Sequence, residues 1–140
     1  SVIEANGDGR PDVVVTPTGR AEFVTVYFND GEGGFDSDAS AAVSVDLGRD
    51  HDALYTRVGD LNNDGYDDLV TKVRSSGRLI ANLNNGPVDD GPQFGAPQQL
   101  FVPGAASNFV LGDHNDDGVV DIGVLRQDNE QFTFWDRTCR

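Results

Sequence analysis

Three short segments of the chain place oxygen-bearing side chains at the same offsets. They are the first loop, Glu4–Asp12, the second loop, Asp60–Asp68, and the third loop, Asp113–Asp121. Each has Asp, Asn or Glu at positions 1, 3, 5 and 9 and glycine at position 6. A tight turn with this spacing wraps a hard cation in oxygen ligands.

Calcium suits these loops better than other metal ions. Ca²⁺ takes six to eight oxygens at about 2.3–2.6 Å, and a glycine at position 6 lets the chain turn so that the carbonyl at position 7 adds a ligand. Mg²⁺ fits a cage built mostly from protein poorly, and paired Cys or His ligands for zinc or copper are absent from the sequence. Two carboxylates about 4.5 Å apart repel by roughly 3–4 kcal/mol at an effective dielectric near 20, so the loops need a cation.

Three other interpretations of the loops were weighed. An Asx-rich turn would use Asp and Asn to bond its own backbone, but three copies at regular spacing favour a metal. An EF-hand would carry Glu at position 12, where the second and third loops have Thr71 and Val124 inside predicted strands. Dockerin-like loops belong to shorter, helical repeats. The prediction is therefore two calcium sites, with a third possible in the first loop.

The elements that hold these loops are predicted to be β-strands. The loops begin at residues 4, 60 and 113 and so recur at intervals of 56 and 53 residues, close to one four-stranded propeller blade. Apolar residues do not recur at helical spacing, so the fold class is all-β, with four-stranded antiparallel β-propeller-type blades. The predicted units are blade 1, about 1–48, blade 2, about 53–103, and a partial blade 3, about 107–140.

Strand-forming runs occur at the same places in each unit. Those predicted as strands are 13–15, 23–28, 42–47, 69–73, 78–83, 98–102, 122–125 and 131–135. Glycine-rich turns are expected at 29–35 and 84–86. These units amount to about 2.5 to 3 blades, and a propeller closes with roughly four to eight, so the ring is incomplete. Three arrangements are open: the chain is an excerpt of a longer protein, several chains complete a ring, or the units stack openly.

The loops together with Phe94-Gly95-Ala96-Pro97 and Gly33-Gly34-Phe35 resemble the FG-GAP/VCBS repeat family, known from integrin α-subunit propellers and many secreted bacterial proteins. The resemblance implies calcium ligation by the side chains of three to four residues per loop and by the carbonyl at position 7. The ligands it implies are Asp60, Asn62, Asp64, Tyr66 and Asp68; Asp113, Asn115, Asp117, Val119 and Asp121; and, in the first loop, Asn6, Asp8, Arg10 and Asp12. The first loop departs from the pattern by having at position 1 the longer side chain of Glu4.

The family resemblance also implies a function. It implies a secreted, extracellular or cell-surface module with a structural, adhesion or filament-forming role and no catalysis. His51 and His114 lack an accompanying nucleophile motif and are expected at the surface. The alternative is a glycan-binding propeller or an accessory domain of a carbohydrate-active enzyme, with Tyr55, Tyr66, Phe109 and Trp135 as exposed aromatic candidates.

Charge and composition limit the kinds of molecule that the chain is expected to bind. Ten basic and 24 acidic residues give a formal charge of −14, which disfavours nucleic acid and anionic lipid. No apolar run is long enough to insert in a membrane. Cys139 is the only cysteine, so no disulfide forms within the chain. A strand from another copy, or from further sequence of the same protein, is expected to cover the edge of the third unit near Gln131 to Trp135.

Overall fold

A computed structural model describes residues 1–17, 19–35, 42–49, 52–88, 91–102, 104–126, 128 and 132–135. For Trp135 only the backbone is described. His51, Gln131 and Cys139, which the sequence analysis singles out, lie outside these ranges.

Every regular element within the described ranges is a β-strand, which confirms the predicted all-β class. No described segment forms a helix that could cross a membrane. The strands are β1 (Val2–Ile3), β2 (Asp12–Val15), β3 (Phe23–Tyr27), β4 (Ala42–Asp46), β5 (Ala53–Gly59), β6 (Asp68–Val73), β7 (Leu79–Asn82), β8 (Asn84–Val88), β9 (Gly91–Phe94), β10 (Gln98–Leu100), β11 (Ala106–Gly112), β12 (Asp121–Arg126) and β13 (Phe132–Trp135).

The strands form three successive antiparallel sheets and one extra hairpin. The first sheet has the order β1-β2-β3-β4, and the second has the order β5-β6-β7-β10. The third sheet consists of β11-β12-β13, and β8 pairs with β9 in a separate hairpin. None of the sheets closes into a barrel. This arrangement confirms the prediction of propeller-type blades in an incomplete ring.

The β8–β9 hairpin differs from the sequence expectation, which placed only a glycine turn at residues 84–86. Asn84 pairs with Phe94, a bulge follows, and Pro87 then pairs with Pro92. Proline and glycine disfavour a regular ladder, so the sequence resembles a turn although the backbone forms a short, bulged strand pair. In the first sheet the same place holds a single bridge, Asn29 to Phe35.

Two apolar cores lie between the sheets. The first core joins the first and second sheets, and the second core joins the second and third sheets. Buried residues of the first core are Ile3, Ala5, Val14, Val24, Val26, Val45, Leu47, Ala53, Leu69, Val73 and Ile80. Those of the second core are Leu61, Val70, Leu79, Ala81, Ala106, Phe109, Ile122 and Val124.

The second sheet is buried on both faces because it lies between the two cores. Successive side chains of a strand point to opposite faces. In β6, Leu69 therefore enters the first core, and its neighbour Val70 enters the second. All residues of β6 and β7 are buried as a result. The three sheets are thus held face to face by the burial of apolar surface.

We predict that Phe109→Ala destabilises the chain by about 3–5 kcal/mol, because it leaves a cavity in the second core where Phe109 is 1% exposed. Urea denaturation measures this change. Phe101→Ala is the matched control, since Phe101 is 82% exposed and its loss should change stability by less than about 0.5 kcal/mol. Equal losses in the two variants would show that the second core contributes little to the fold.

Candidate metal-binding loops

Each of the three loops connects the first two strands of its sheet. The strand pairing places the loops at equivalent positions, because Ile3 pairs with Asp12, Gly59 with Asp68, and Gly112 with Asp121. The position-9 aspartate is therefore the first residue of the second strand in every sheet. One short turn per sheet carries all the predicted ligands.

The backbone has the same unusual conformation in every loop. Position 6 is a glycine with positive φ in all three, and position 4 also has positive φ. Asn63 (φ 60°) and Asp116 (φ 59°) occupy position 4 of the second and third loops and are the non-glycine residues with positive φ in the described chain. Asn and Asp tolerate this left-handed region better than other side-chain-bearing residues. Two such residues, two positions apart, fold each loop back on itself.

The position-9 aspartates are buried and anchor the loops. Asp12 and Asp68 are fully buried, and Asp121 is 1% exposed. One carboxylate oxygen accepts the amide of position 2 of the same loop, and in the first two sheets the other oxygen accepts an amide beyond the third strand. The donors are Ala5 (3.0 Å) and Asn29 (2.9 Å) to Asp12, Leu61 (2.8 Å) and Asn84 (2.7 Å) to Asp68, and His114 (3.0 Å) to Asp121.

Asp121 differs from the other two in one respect. Its Oδ1 is buried and accepts no hydrogen bond from any described residue. In the first two sheets the corresponding donor has a fixed place in the third strand's register. In the second sheet, for example, the residue after Asp68 pairs with Asn82, and the donor, Asn84, lies two residues further along the chain. The same register in the third sheet leads to residue 137, which is outside the described ranges.

Burial raises the pKa of the carboxyl groups of Asp12 and Asp68. Burial is the main cause for Asp68, whose pKa rises to about 6 although the amides of Asn84 and Leu61 lower it, and the charges of Asp64 and Asp60 raise it further. Burial likewise raises the pKa of Asp12, with smaller contributions from the charges of the first loop. The carboxylates within each of these two loops therefore repel one another.

The side chains at positions 1, 3 and 5 are arranged alike in the second and third loops. Asp60 and Asp113 each accept the amides of positions 5 and 6 at 2.8–3.2 Å. Asn62 and Asn115 accept the amide of position 5. The position-5 aspartates, Asp64 and Asp117, accept the amides of Tyr66 (3.0 Å) and Val119 (2.8 Å).

The first loop departs from this arrangement at two points. Glu4 accepts the amide of Gly7 at 2.8 Å, which is position 4, whereas the aspartates of the other loops bond positions 5 and 6. Arg10 forms an ion pair with Asp8 (3.6 Å). Neither the second nor the third loop has an ion pair with a described residue. The first loop thus carries its own counter-charge.

The donor types in the loops fit a hard cation. Each loop offers carboxylate, amide and main-chain carbonyl oxygens and no sulfur or ligating nitrogen. Among the described residues no three His, Cys, Asp or Glu side chains converge as a metal centre. The carboxylates instead bond loop amides, so a bound cation would share these oxygens with the amides, as the several lone pairs of a carboxylate allow.

The first and second loops are in contact. The amide of Glu4 donates to Asp67 Oδ2 (3.3 Å), and Asn84 Nδ2 donates to the carbonyl of Ala5 (3.0 Å), which is buried. Both bonds join the first loop to the second unit of the chain. A structural change in one of these two loops is therefore expected to affect the other.

Of the aromatic residues suggested for sugar binding, the three whose side chains are described are buried or half-buried. Phe109 is buried, which corrects the expectation that it is exposed. Tyr55 is half-buried and stacks on Phe109 with ring centroids 5.3 Å apart. Tyr66 is half-buried and lies against the position of Gly86. His114 is exposed, as expected, and stacks on Phe134 at 3.9 Å.

We predict that without calcium the stability of the chain falls as pH rises from 5 to 7.5. A carboxyl group whose pKa is raised from 3.8 to about 6 by folding stabilises the fold at low pH, and this contribution is lost as pH rises through the folded pKa. For Asp68 the whole loss, from below pH 3.8 to above pH 6, is about 3 kcal/mol, of which about 1.4 kcal/mol falls between pH 5 and 7.5. Urea denaturation in EDTA measures the slope, and NMR titration of the side-chain carboxyl carbon measures the pKa. Titration of Asp68 at its ordinary value would contradict the prediction.

Comparison with known proteins agrees with the geometry of the loops. The model of an FG-GAP-like repeat matches residues 5–71, which include most of the first loop and all of the second. Searches of curated proteins and of solved structures each gave no significant match. The chain therefore contains an FG-GAP-like repeat at residues 5–71, which confirms the family resemblance inferred from its loops.

Proposed function

We propose that this β-repeat module is secreted and binds Ca²⁺ in its loops, and that it serves a structural, adhesion or filament-forming role without catalysis. The observation that carries the proposal is the repeated backbone conformation of the second and third loops. Both place a non-glycine residue in the left-handed region at position 4, and both aim loop amides at the same carboxylates. Such conformations cost free energy and persist where function requires them.

Electrostatics supports a cation in these loops. Burial is the main cause of the raised pKa of Asp68, and the nearby charges of Asp64 and Asp60 raise it further. No described lysine or arginine forms an ion pair with them or with the acidic residues of the third loop. A divalent ion would offset this repulsion and favour the charged form of Asp68. The first loop needs a cation less, because Arg10 already neutralises part of its charge.

The residues proposed to hold calcium are those implied by the family resemblance. Asp60, Asn62, Asp64 and Asp68, with the carbonyl of Tyr66, would hold one ion. The equivalent residues from Asp113 to Asp121 would hold another. Bound calcium supplies charge neutralisation and a rigid cross-link between the tip of the loop and the base of the second strand. Extracellular modules bind calcium at about 10⁻⁴–10⁻³ M, which suits a secreted protein.

A non-catalytic role is supported by what surrounds the titratable groups. The loop carboxylates are engaged with amides, which makes them poor proton donors or acceptors for a substrate. His114 stacks on Phe134, and its amide is bonded to Asp121. We therefore assign the loops to structure and binding.

A protein partner is proposed at the third sheet. In the first sheet β4 covers the outer edge of β3, and in the second sheet β10 covers that of β7. Among the described residues no strand covers the outer edge of β13. Strand edges present unpaired backbone groups that favour pairing with another chain. A second copy, adding a strand at this edge, would extend the array head to tail.

We predict that calcium raises the melting temperature of the chain. A site with a Kd of about 10⁻⁴ M adds roughly 1.4 kcal/mol in about 1 mM Ca²⁺ by mass action. Differential scanning calorimetry in Ca²⁺ and in EDTA measures the shift, and isothermal titration gives the stoichiometry. Asp64→Ala and Asp117→Ala are each expected to remove one ion, since each variant loses a ligand from a different loop.

Two variants serve as controls for the calcium prediction. Asp46→Ala removes an exposed carboxylate outside the loops and should leave the stoichiometry unchanged. Asp8→Ala should have a smaller effect than Asp64→Ala, because Asp8 is paired with Arg10. An identical melting temperature in Ca²⁺ and EDTA would show that the loops are Asx turns that bind no metal.

We predict that the chain self-associates through the β13 edge in Ca²⁺. Light scattering coupled to gel filtration should show species above the 15.0 kDa monomer that grow with protein concentration. Thr133→Lys places a charge on this edge and should weaken association, whereas Ser44→Lys on β4 should not. A monomer at all concentrations would rule out this mode of assembly.

A further inference from the structure

A groove of about 380 Å³ lies where the first strands of the three sheets meet. Four of its six lining residues are valine or leucine, and the one charged side chain is that of Arg57. The lining residues are Ser1, Val2, Arg57, Val58, Val110 and Leu111. Ligand pockets commonly have this volume and combine an apolar wall with a few fixed polar groups. The groove is separate from the acidic loops and plays no part in the function proposed above.

Arg57 is the polar group of this groove with unused hydrogen-bonding capacity. Its Nε is buried and has no hydrogen-bond partner, and its guanidinium forms no ion pair with a described residue. Ser1, the other polar residue of the lining, already donates to the carbonyls of Val14 and Thr56. A buried donor without an acceptor costs free energy, which a ligand acceptor would recover.

Aromatic rings hold the guanidinium in place. The Cζ atom of Arg57 lies 5.5 Å from the ring centroid of Tyr55 and 5.6 Å from that of Phe109. The Tyr55 hydroxyl is itself fixed, because it donates to Asn108 Oδ1 (2.6 Å) and accepts the amide of Phe109 (3.2 Å). Arginine resting on aromatic rings keeps its N–H groups available for a planar, bidentate acceptor.

A second cation lies beside the same rings. Lys72 is 8% exposed, and its Nζ is 5.9 Å from the Tyr55 centroid. Its hydrogen bond goes to the carbonyl of Ser107 (2.8 Å), and no described carboxylate pairs with it. Two cations without acidic partners are unusual in a chain whose formal charge is −14. Their combined potential favours an anion in the adjacent groove.

We propose that this groove binds the carboxylate group of a small ligand, with Arg57 as its anchor. The guanidinium supplies paired N–H donors to the two carboxylate oxygens, and Val58, Val110 and Leu111 contact the apolar part of the ligand. Tyr55 and Phe109 hold the guanidinium, and Lys72 adds positive potential. Two sources supply this chemistry, an acidic sugar and the terminal carboxylate of a peptide.

The test uses the whole chain in Ca²⁺ and follows the Arg57 Nε–H resonance and the amides of Val58 and Val110 by NMR. The probes are glucuronate with glucose as its neutral counterpart, and N-acetyl-dialanine with its C-terminal amide. We expect millimolar carboxylate probes to shift these resonances and the neutral counterparts to leave them in place. Tighter binding of glucuronate would identify the acidic sugar as the source, and tighter binding of the peptide would identify a chain end.

Variants complete the test. Arg57→Gln should weaken carboxylate binding at least ten-fold, and Arg57→Lys should weaken it less because it retains the charge but loses the paired donors. Arg78→Gln removes one exposed positive charge from the same sheet and should bind like the parent. Any of three results would overturn the proposal. The first is equal shifts with charged and neutral probes, and the second is no shift at about 50 mM carboxylate, a concentration that would reveal even a weak Kd. The third is unchanged binding in a folded Arg57→Lys chain.

Discussion

The fold of each unit depends on one buried carboxylate at the start of its second strand. Asp12, Asp68 and Asp121 have too little contact with water to be stabilised by it, so their charge must be satisfied by protein donors. The position-2 amide supplies one donor in every unit. This hydrogen bond holds the start of the loop against the first residue of the second strand. It therefore helps to fix the register of the first two strands.

This constraint connects the loops to the cores. The residue that donates to the aspartate from position 2 is itself apolar and buried in the first two units, Ala5 in the first core and Leu61 in the second. Loop geometry and sheet packing are thus set by the same residue. A cation that stabilises a loop would also stabilise the interface between two sheets, and the bonds from Glu4 to Asp67 and from Asn84 to Ala5 would carry that effect to the next unit.

The sequence predicts the parts of the structure that repeat. The loops are found from the spacing of Asp, Asn and Gly, and the main strands from runs of Val, Ile, Leu and Phe that follow them at fixed distance. The β8–β9 hairpin could not be predicted, because its Gly86, Pro87 and Pro92 are typical of turns. The burial of Phe109 and the position of Arg57 were also out of reach, since both depend on how the third sheet packs on the second. Contacts between units have no local signature in the chain.

The second and third loops and the groove each bring together charges of a single sign, negative at the loops and positive at the groove. In the second and third loops the protein gathers carboxylates without a basic partner among the described residues, whereas the first loop includes Arg10. Around Tyr55 it gathers Arg57 and Lys72, and neither forms an ion pair with an acidic residue that the structure describes. A stable core alone would favour apolar residues over unpaired buried charges, because an uncompensated charge costs several kcal/mol. The two proposed ligands, a metal ion at the loops and a carboxylate at the groove, carry the opposite sign to the charges that the turns and strands hold in place.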